Sequence, residues 1–498
     1  MHGKIRSILT VNFSMMLFRH KIFFLLFFIP FVIRGQVTTT FFSAPEKKYT
    51  LVEYAGSDTS GTYAVSTRFP NFYLERMNGE MATMAAVQVA GFFYDHHPKT
   101  LWKTILMGNN LYMFTMGWSS KYHDYHFFAQ QVNKQTLKQS KEIELTKHPA
   151  DYYTSTMSNS GIHFTFCPDH SKMLVYYQVS DSAGNLCYYF KVLDDSMHIT
   201  WEKTCRSGVP VRDYFDETIG LDNYGNVNAL IDGLYTDTTS LFYFVRVEEK
   251  GNDTRTFRLW DGQHYAFSAK ADSRDEHTVM LAGTYIGKEH GVFSLQINKN
   301  SPPSPPLHLA SLPITDQYVM NVHADSDSSI VLITEDFSSN TTQSVSWNGP
   351  GTLDMNAYTI GIYRDIYVYC FNVDGTIRWQ HTVAKEQAYK DHKDEDMSFT
   401  VQFIGDEIFM LYNDRFYDVN LTEGEWKNAG LSYQIYSNLK ITDIDPAGKM
   451  TTEKVYPELS EFAELHRPYS FPAGNHRMLI YFSEPAWVKG QQRGMITF

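Results

Sequence analysis

The chain is short of cysteine, of positive charge and of long apolar runs, and each shortage excludes something. Four cysteines (Cys167, Cys187, Cys205, Cys370) in 498 residues are too few to staple a chain of this length, so packing must hold the fold. Lys and Arg number 43 against 55 Asp and Glu, for a net charge of -12. A surface of that sign repels phosphate, which argues against nucleic acid and anionic membranes as partners. After Ile33 no apolar run approaches the ~20 residues that a membrane-spanning helix needs, so no span is expected in the mature chain. Long stretches of helical periodicity are missing as well. There is no His-Glu-x-x-His, no paired Cys-x-x-Cys and no EF-hand loop. Nothing therefore points to a catalytic set, a metal or a cofactor.

The N-terminus reads as an address rather than as structure. Arg19, His20 and Lys21 precede the apolar run Ile22 to Ile33, and Arg34, Gly35 and Gln36 follow it. A basic segment, a short apolar core and a small residue describe a secretory signal, with cleavage expected near Gly35. Residues 1–35 carry five basic residues and no acid, so the remaining chain, 36–498, stands at -17. The expected location is secreted, periplasmic or extracellular.

What the chain has in abundance is aromatic residues, 33 Tyr and 35 Phe, placed in short apolar runs. GTYAVST begins at Gly61, LYMFTMG at Leu111, MLVYYQV at Met173 and NALIDGLY at Asn228. VMLAGTYI begins at Val279, IVLITEDF at Ile330, EIFMLYN at Glu407 and MLIYFSE at Met478. Runs of this length read as buried strands. Nearly every run is followed by another strand, a polar turn and a return strand, as in YVYCFNVDGTIRWQHTV with its turn near Asp374. A further strand precedes most of them. The unit is four antiparallel strands, and it recurs at roughly 50–75 residues.

Four-stranded sheets repeated around an axis make a β-propeller. The second strand of each unit is then covered on both faces, which accounts for its nearly continuous apolar character. The last unit ends after RGMITF without a fourth strand, while VTTTFFS supplies a spare strand at the start. Pairing the two would close the ring. The expectation is an all-β fold, one propeller over residues 36–498, of eight blades, with seven as the alternative count.

The stretch FNVDGTIRW places Gly375 four residues before Trp379. This is similar to the Gly-x-x-x-Trp signature of PQQ-type propeller repeats, and LDDSMHITW, ending at Trp201, is a partial echo with Met197 in place of glycine. The resemblance is to the PQQ-like and WD40-like repeat superfamily, and the leader with aromatic-rich strands looks like secreted propellers of Gram-negative bacteria. It implies that Trp201 and Trp379 dock between neighbouring sheets; it does not imply a bound quinone.

Cys187 and Cys205 lie nine residues either side of Ser196. Directly opposed strands would make them a disulfide in an oxidising compartment; two reduced, buried thiols are the equal alternative. Cys167 and Cys370 read as small core residues. His96 and His97 read as surface loop. The oxygen-rich stretches His323–Ser329 and Asp391–Ser398 lack a calcium ligand order and read as solvated loops.

The most informative feature is loop length. Three long connections, 338–365, 384–397 and 413–438, belong to adjacent blades and should emerge on one face. They carry Trp347, Tyr389, His392, Trp426 and Tyr433 among acidic residues. Insertions confined to one face mark a binding face, and rings beside acids suit sugars or cationic peptides. The expected function is a non-catalytic binding or interaction module with a glycan or protein partner. The alternatives are a propeller glycoside hydrolase or lyase and an envelope assembly subunit.

Overall fold

The eight apolar runs all form strands, and they are buried where the sequence asks for it. Gly61–Arg68, Asn110–Ser119, Val279–Gly287 and Glu407–Asn413 are each buried along nearly their whole length. By contrast Ile377–Val383 alternates and Met450–Lys454 is mostly exposed. Each sheet thus runs from an inner strand, through a covered centre, to an outer edge.

In the computed structural model, residues 38–498 form a single unit of β-sheets, antiparallel apart from one short strand pair. The described residues are these, apart from 43–49, 69–70, 91–92, 150–160, 182, 184, 211–213, 237–238, 250–253, 261, 304–306, 313–316, 348–352, 391–397, 418–438, 456–463, 466–470, 473–476, 484–490 and 498. No helix occurs among them.

Seven blades of four strands follow one another along the chain. They span residues 50–88, 100–149, 163–210, 214–258, 264–311, 317–383 and 399–454, and are numbered 1 to 7 here. Seven is the alternative count of the sequence reading. Beyond the seven blades, the two chain ends build one further sheet together, in the pairing that the sequence reading gave them. Thr38–Phe42 pairs antiparallel with Gln491–Thr497, which pairs with Arg477–Ser483. Its Leu479 packs with Leu51, Tyr54, Ala64 and Met77 of blade 1. Two termini hydrogen-bonded in one sheet close the ring, as the unpaired end strands required.

The aromatic residues fill the gaps between blades. Phe114 and Phe127 of blade 2 stack at 5.9 Å and share a core with Met173 and Val175 of blade 3. Tyr188 and Phe190 of blade 3 meet Val227, Ala229 and Ile231 of blade 4. Phe244 and Phe257 of blade 4 meet Leu281 and Phe293 of blade 5. A flat sheet face needs wide, flat side chains to fill the space to its neighbour, and aromatic rings bury the most area per residue.

The turns repeat as closely as the cores. In blade 6 the Asn372 amide donates to the Thr376 carbonyl at 2.8 Å and Gly375 donates back to Asn372 at 2.9 Å. The same pair of bonds closes the turns headed by Asp194, Asp222, Asp325 and Asp445. Each needs a left-handed residue at its fourth position: Gly375 (φ 83), Gly225 and Gly448, but also Met197 and Ser328. These turns also set blade against blade. The indole of Trp379, on the last strand of blade 6, covers Gly448 of blade 7, where a Cβ would lie 2.7 Å from the ring. Trp201 of blade 3 donates from Nε1 to the Gly225 carbonyl of blade 4 at 3.0 Å. Both tryptophans dock between sheets, as the resemblance implied.

Of the two alternatives for Cys187 and Cys205, the structure shows the reduced, buried thiols. Cys187 faces Arg206 and Cys205 faces Tyr188. Trp201 pairs with Val192 but Ile199 pairs with Leu193, so an extra residue bulges out at position 200. That bulge shifts everything beyond it by one residue and puts the two cysteines on opposite faces of the sheet. All four cysteines are free thiols and buried.

Candidate functional site

The insertion face is built from strands rather than loops. The second strand of blade 6, Ile330–Trp347, runs 18 residues, and the third, Leu353–Phe371, runs 19. They stay paired far beyond the blade, from Ser338 opposite Ile362 to Trp347 opposite Leu353. A bulge between Glu335 and Phe337 marks where the ribbon leaves the blade. The expected loop 338–365 is therefore a two-stranded arm. Ser, Thr, Asn and Gln dominate its first strand from Ser338 to Ser346, so the segment carries no apolar alternation that would mark it as a strand.

The other two insertions join it. Within 384–397, Glu386–Lys390 pairs with the arm, Ile360 opposite Lys390 and Tyr363 opposite Gln387. Within 413–438, Arg415–Tyr417 adds in parallel to Glu386–Ala388. Connections from blade 6, from the 6–7 junction and from blade 7 thus join in one extension that widens the blade 6 sheet to six strands. Trp347 ends the first arm strand, and Tyr389 lies opposite Gly361 in the added strand. His392, Trp426 and Tyr433 lie outside the described residues.

A buried polar cluster ties this extension to the ring. The Lys385 ammonium forms an ion pair with Glu335, at 0% and 1% side-chain exposure. Gln387 Nε2 donates to the Asn413 carbonyl at 2.8 Å, and its Oε1 accepts from the Ser398 amide at 2.7 Å. Ser398 Oγ donates to Glu335 at 2.5 Å. Glu335 comes from blade 6, Lys385 and Gln387 from the junction, and Ser398 and Asn413 from blade 7. Charges buried at this depth persist only when paired and hydrogen-bonded, so the arm's base is fixed in one arrangement.

Beside it runs a row of rings that sequence reading missed. Phe267, on the inner strand of blade 5, lies 5.3 Å from Tyr318 of blade 6. Tyr318 is 43% exposed and stands 5.8 Å from Phe337, which is 4.7 Å from Tyr363. The row leads from the inner strands to the foot of the arm. Phe267 and Tyr318 belong to ordinary first strands, so only the register that aligns blades 5 and 6 brings them together; no local signal marks them. Lys385 also lies 5.6 Å from the Tyr363 ring, joining row and cluster.

His96 (φ 67) sits in the tight turn between Phe93–Tyr94 and His97–Pro98. In the stretch His323–Ser329, Asp325 accepts from Ser329 Oγ at 2.9 Å, closing the turn on itself. Burial pushes the Asp325 carboxyl up to about 6. Among the described residues no group of three metal-ligating side chains converges, and no helix is long and apolar enough to cross a membrane.

No known protein family and no curated protein matches the chain. Solved structures similar to it include a prolyl endopeptidase, at 10% identity and a TM-score of 0.37 over 88% of this chain and 55% of that one. The chain thus spans about half the length of that enzyme. A polysaccharide lyase matches at 10% identity and a TM-score of 0.37, covering 83% of this chain and 94% of the lyase. An α-L-arabinanase of Penicillium chrysogenum matches at 11% identity and a TM-score of 0.28, covering 60% and 93%. At these values the likenesses carry no functional argument.

Proposed function

We propose that the chain is a secreted binding module whose partner docks on the insertion face of blades 6 and 7. The observation that carries this reading is the convergence of three separate insertions on one extension of the blade 6 sheet. Tolerated excursions on neighbouring blades have no reason to pair with one another, or to be anchored to the blade by a buried ion pair. The aromatic row at the foot of the arm offers flat apolar faces with polar edges, which suits the ring faces of a glycan. The leader-like N-terminus and the acidic remainder support a location outside the cytoplasm, and the rigid ring supports a scaffold role.

The test is a binding screen of residues 36–498 against a glycan array and envelope extracts, run beside Trp347→Ala, Trp426→Ala and Tyr318→Ala. A glycan hit weakened at least tenfold by these changes supports the reading. A hit indifferent to all three moves the site elsewhere. A protein captured from the extract and lost in the same variants favours an assembly role, and turnover of a glycan makes the module an enzyme.

A further inference from the structure

A groove lies at the boundary of blades 1 and 2, at the end of the ring where the first and second strands of each blade turn. Its volume is about 460 Å³, within the roughly 300–1,000 Å³ of small-molecule sites. Three turns build it: Ser60 from blade 1, Asn109 and Asn110 from blade 2, and the connection 131–140 between the last two strands of blade 2. Gln131, Asn133, Gln135 and Lys138 are exposed, so their free polar groups are open to a ligand. Among the described residues no Asp or Glu lines the groove. In a chain of net charge -12, an acid-free groove carrying two lysines is a local exception.

Hydrogen bonds to the surrounding turns decide which groups are left over. Asn133 Oδ1 accepts from the Gln135 and Thr136 amides at 3.0 and 2.9 Å, so its Nδ2 remains as a donor. Gln135 Oε1 accepts from Arg76 Nη1 of blade 1 at 3.1 Å. A guanidinium only donates, so Gln135 Nε2 is also left as a donor. Asn110 Nδ2 donates to the Asp195 carbonyl at 2.9 Å, which leaves its Oδ1 to accept from Gln131 Nε2 at 2.9 Å. Gln131 Oε1 is thereby fixed as an acceptor. Lys134 pairs with Asp58 at 2.6 Å and keeps further N–H groups. The Lys138 ammonium has no partner among the described residues. Among these fixed groups donors outnumber acceptors, and one positive charge is uncompensated.

We propose that this groove binds a sugar ring bearing a carboxylate, the uronate unit of an acidic glycan. The carboxylate, which only accepts, takes the Lys138 ammonium and the free N–H groups of Asn133 and Gln135; charge-assisted bonds of this kind are about twice as strong as neutral ones. A ring hydroxyl donates to Gln131 Oε1. A bare inorganic anion would leave that acceptor unused, and a volume of roughly fifteen waters at about 30 Å³ each exceeds what such an anion fills. The acidity of the whole chain does not oppose this, because charges beyond about 8 Å are largely screened at physiological ionic strength. Asp195, whose carboxylate lies against Gly108, accepts from Ser196 Oγ at 3.3 Å and stands outside the lining. The groove lies at the opposite end of the blades from the insertion face, so this inference does not rest on the reading above.

Calorimetric titration of the intact protein with sodium D-galacturonate, D-galactose and inorganic phosphate, all at one ionic strength, tests the proposal. A ligand of about a dozen heavy atoms should bind with a Kd in the millimolar range. The expected result is saturable binding of galacturonate, at least tenfold tighter than D-galactose and than phosphate. Lys138→Gln, which removes the unpaired charge, should weaken galacturonate at least fivefold and narrow its advantage over D-galactose. Asn109→Asp, which adds a carboxylate to the lining, should weaken it in the same direction. Both positions are exposed, so unchanged melting temperatures separate a lost ligand from a lost fold. Trp347→Ala should leave binding unchanged. Absence of saturation by galacturonate up to about 50 mM overturns the proposal. So does D-galactose or phosphate bound as tightly as galacturonate, or undiminished binding in Lys138→Gln.

Discussion

Lys385 and Glu335 form an ion pair with almost no exposure to solvent, one residue from the junction of blades 6 and 7 and the other from the core of blade 6. The pair sits where the extension leaves the ring, so it reports on whether that extension is anchored. Lys385→Met strands the Glu335 carboxylate and should destabilise the protein by about 3–5 kcal/mol. The double variant Lys385→Met/Glu335→Gln removes both charges and should recover most of that loss. Chemical denaturation of the three proteins checks it. Equal stability of the single variant and the natural protein would mean that the charge is solvated.

Gly448 and Ser328 occupy equivalent turn positions with opposite fits. Gly448→Ala puts a Cβ 2.7 Å from the Trp379 indole at φ 82, so it should cost more than 1 kcal/mol. Ser328 adopts φ 72 without glycine, so Ser328→Gly relieves about 1–2 kcal/mol of left-handed strain, more than the unfolded-chain entropy that glycine adds, and should stabilise the protein. Thermal melts in opposite directions are the expected outcome.

Asp325 gives the protein a pH dependence of known sign. Burial raises its folded carboxyl to about 6 from an ordinary 3.8, so the folded state binds the proton more tightly than the unfolded one. The penalty for burying the charge is absent below the unfolded value and grows as pH rises through the folded one. His323 lowers the carboxyl value, whereas Asp406 and Asp327 raise it. Asp325→Asn should therefore stabilise the protein at pH 7–8, by up to about 3 kcal/mol, with the gain vanishing below about pH 4. A gain independent of pH would contradict this.

The thiols give a simpler check. All four are buried and free, and burial pushes Cys370 up to about 11. A thiol reagent should find no reactive group in the native protein and four after unfolding without reductant. Two after unfolding would restore the Cys187–Cys205 bridge.

Much of this architecture was legible in the chain, and the gaps have physical causes. The covered second strands announced themselves because burial on both faces leaves no polar alternation. The turn at Asp374 was readable because its left-handed position carries glycine. The arm was read as loop because Ser339 to Ser346 carry no apolar alternation and look like any polar segment. Between the two alternatives for Cys187 and Cys205 the choice turned on one bulged residue, Thr200, which no composition signal marks. The Phe267–Tyr318 contact depends on the register between two blades, and sequence fixes register only within a hairpin.

The most direct measurement of the central claim is hydrogen exchange of the intact protein with and without the tightest ligand from the screen. The account predicts slowed exchange in the arm strands, 338–347 and 353–365, and in 386–390. Protection confined to other blades, with the arm unchanged, would contradict it.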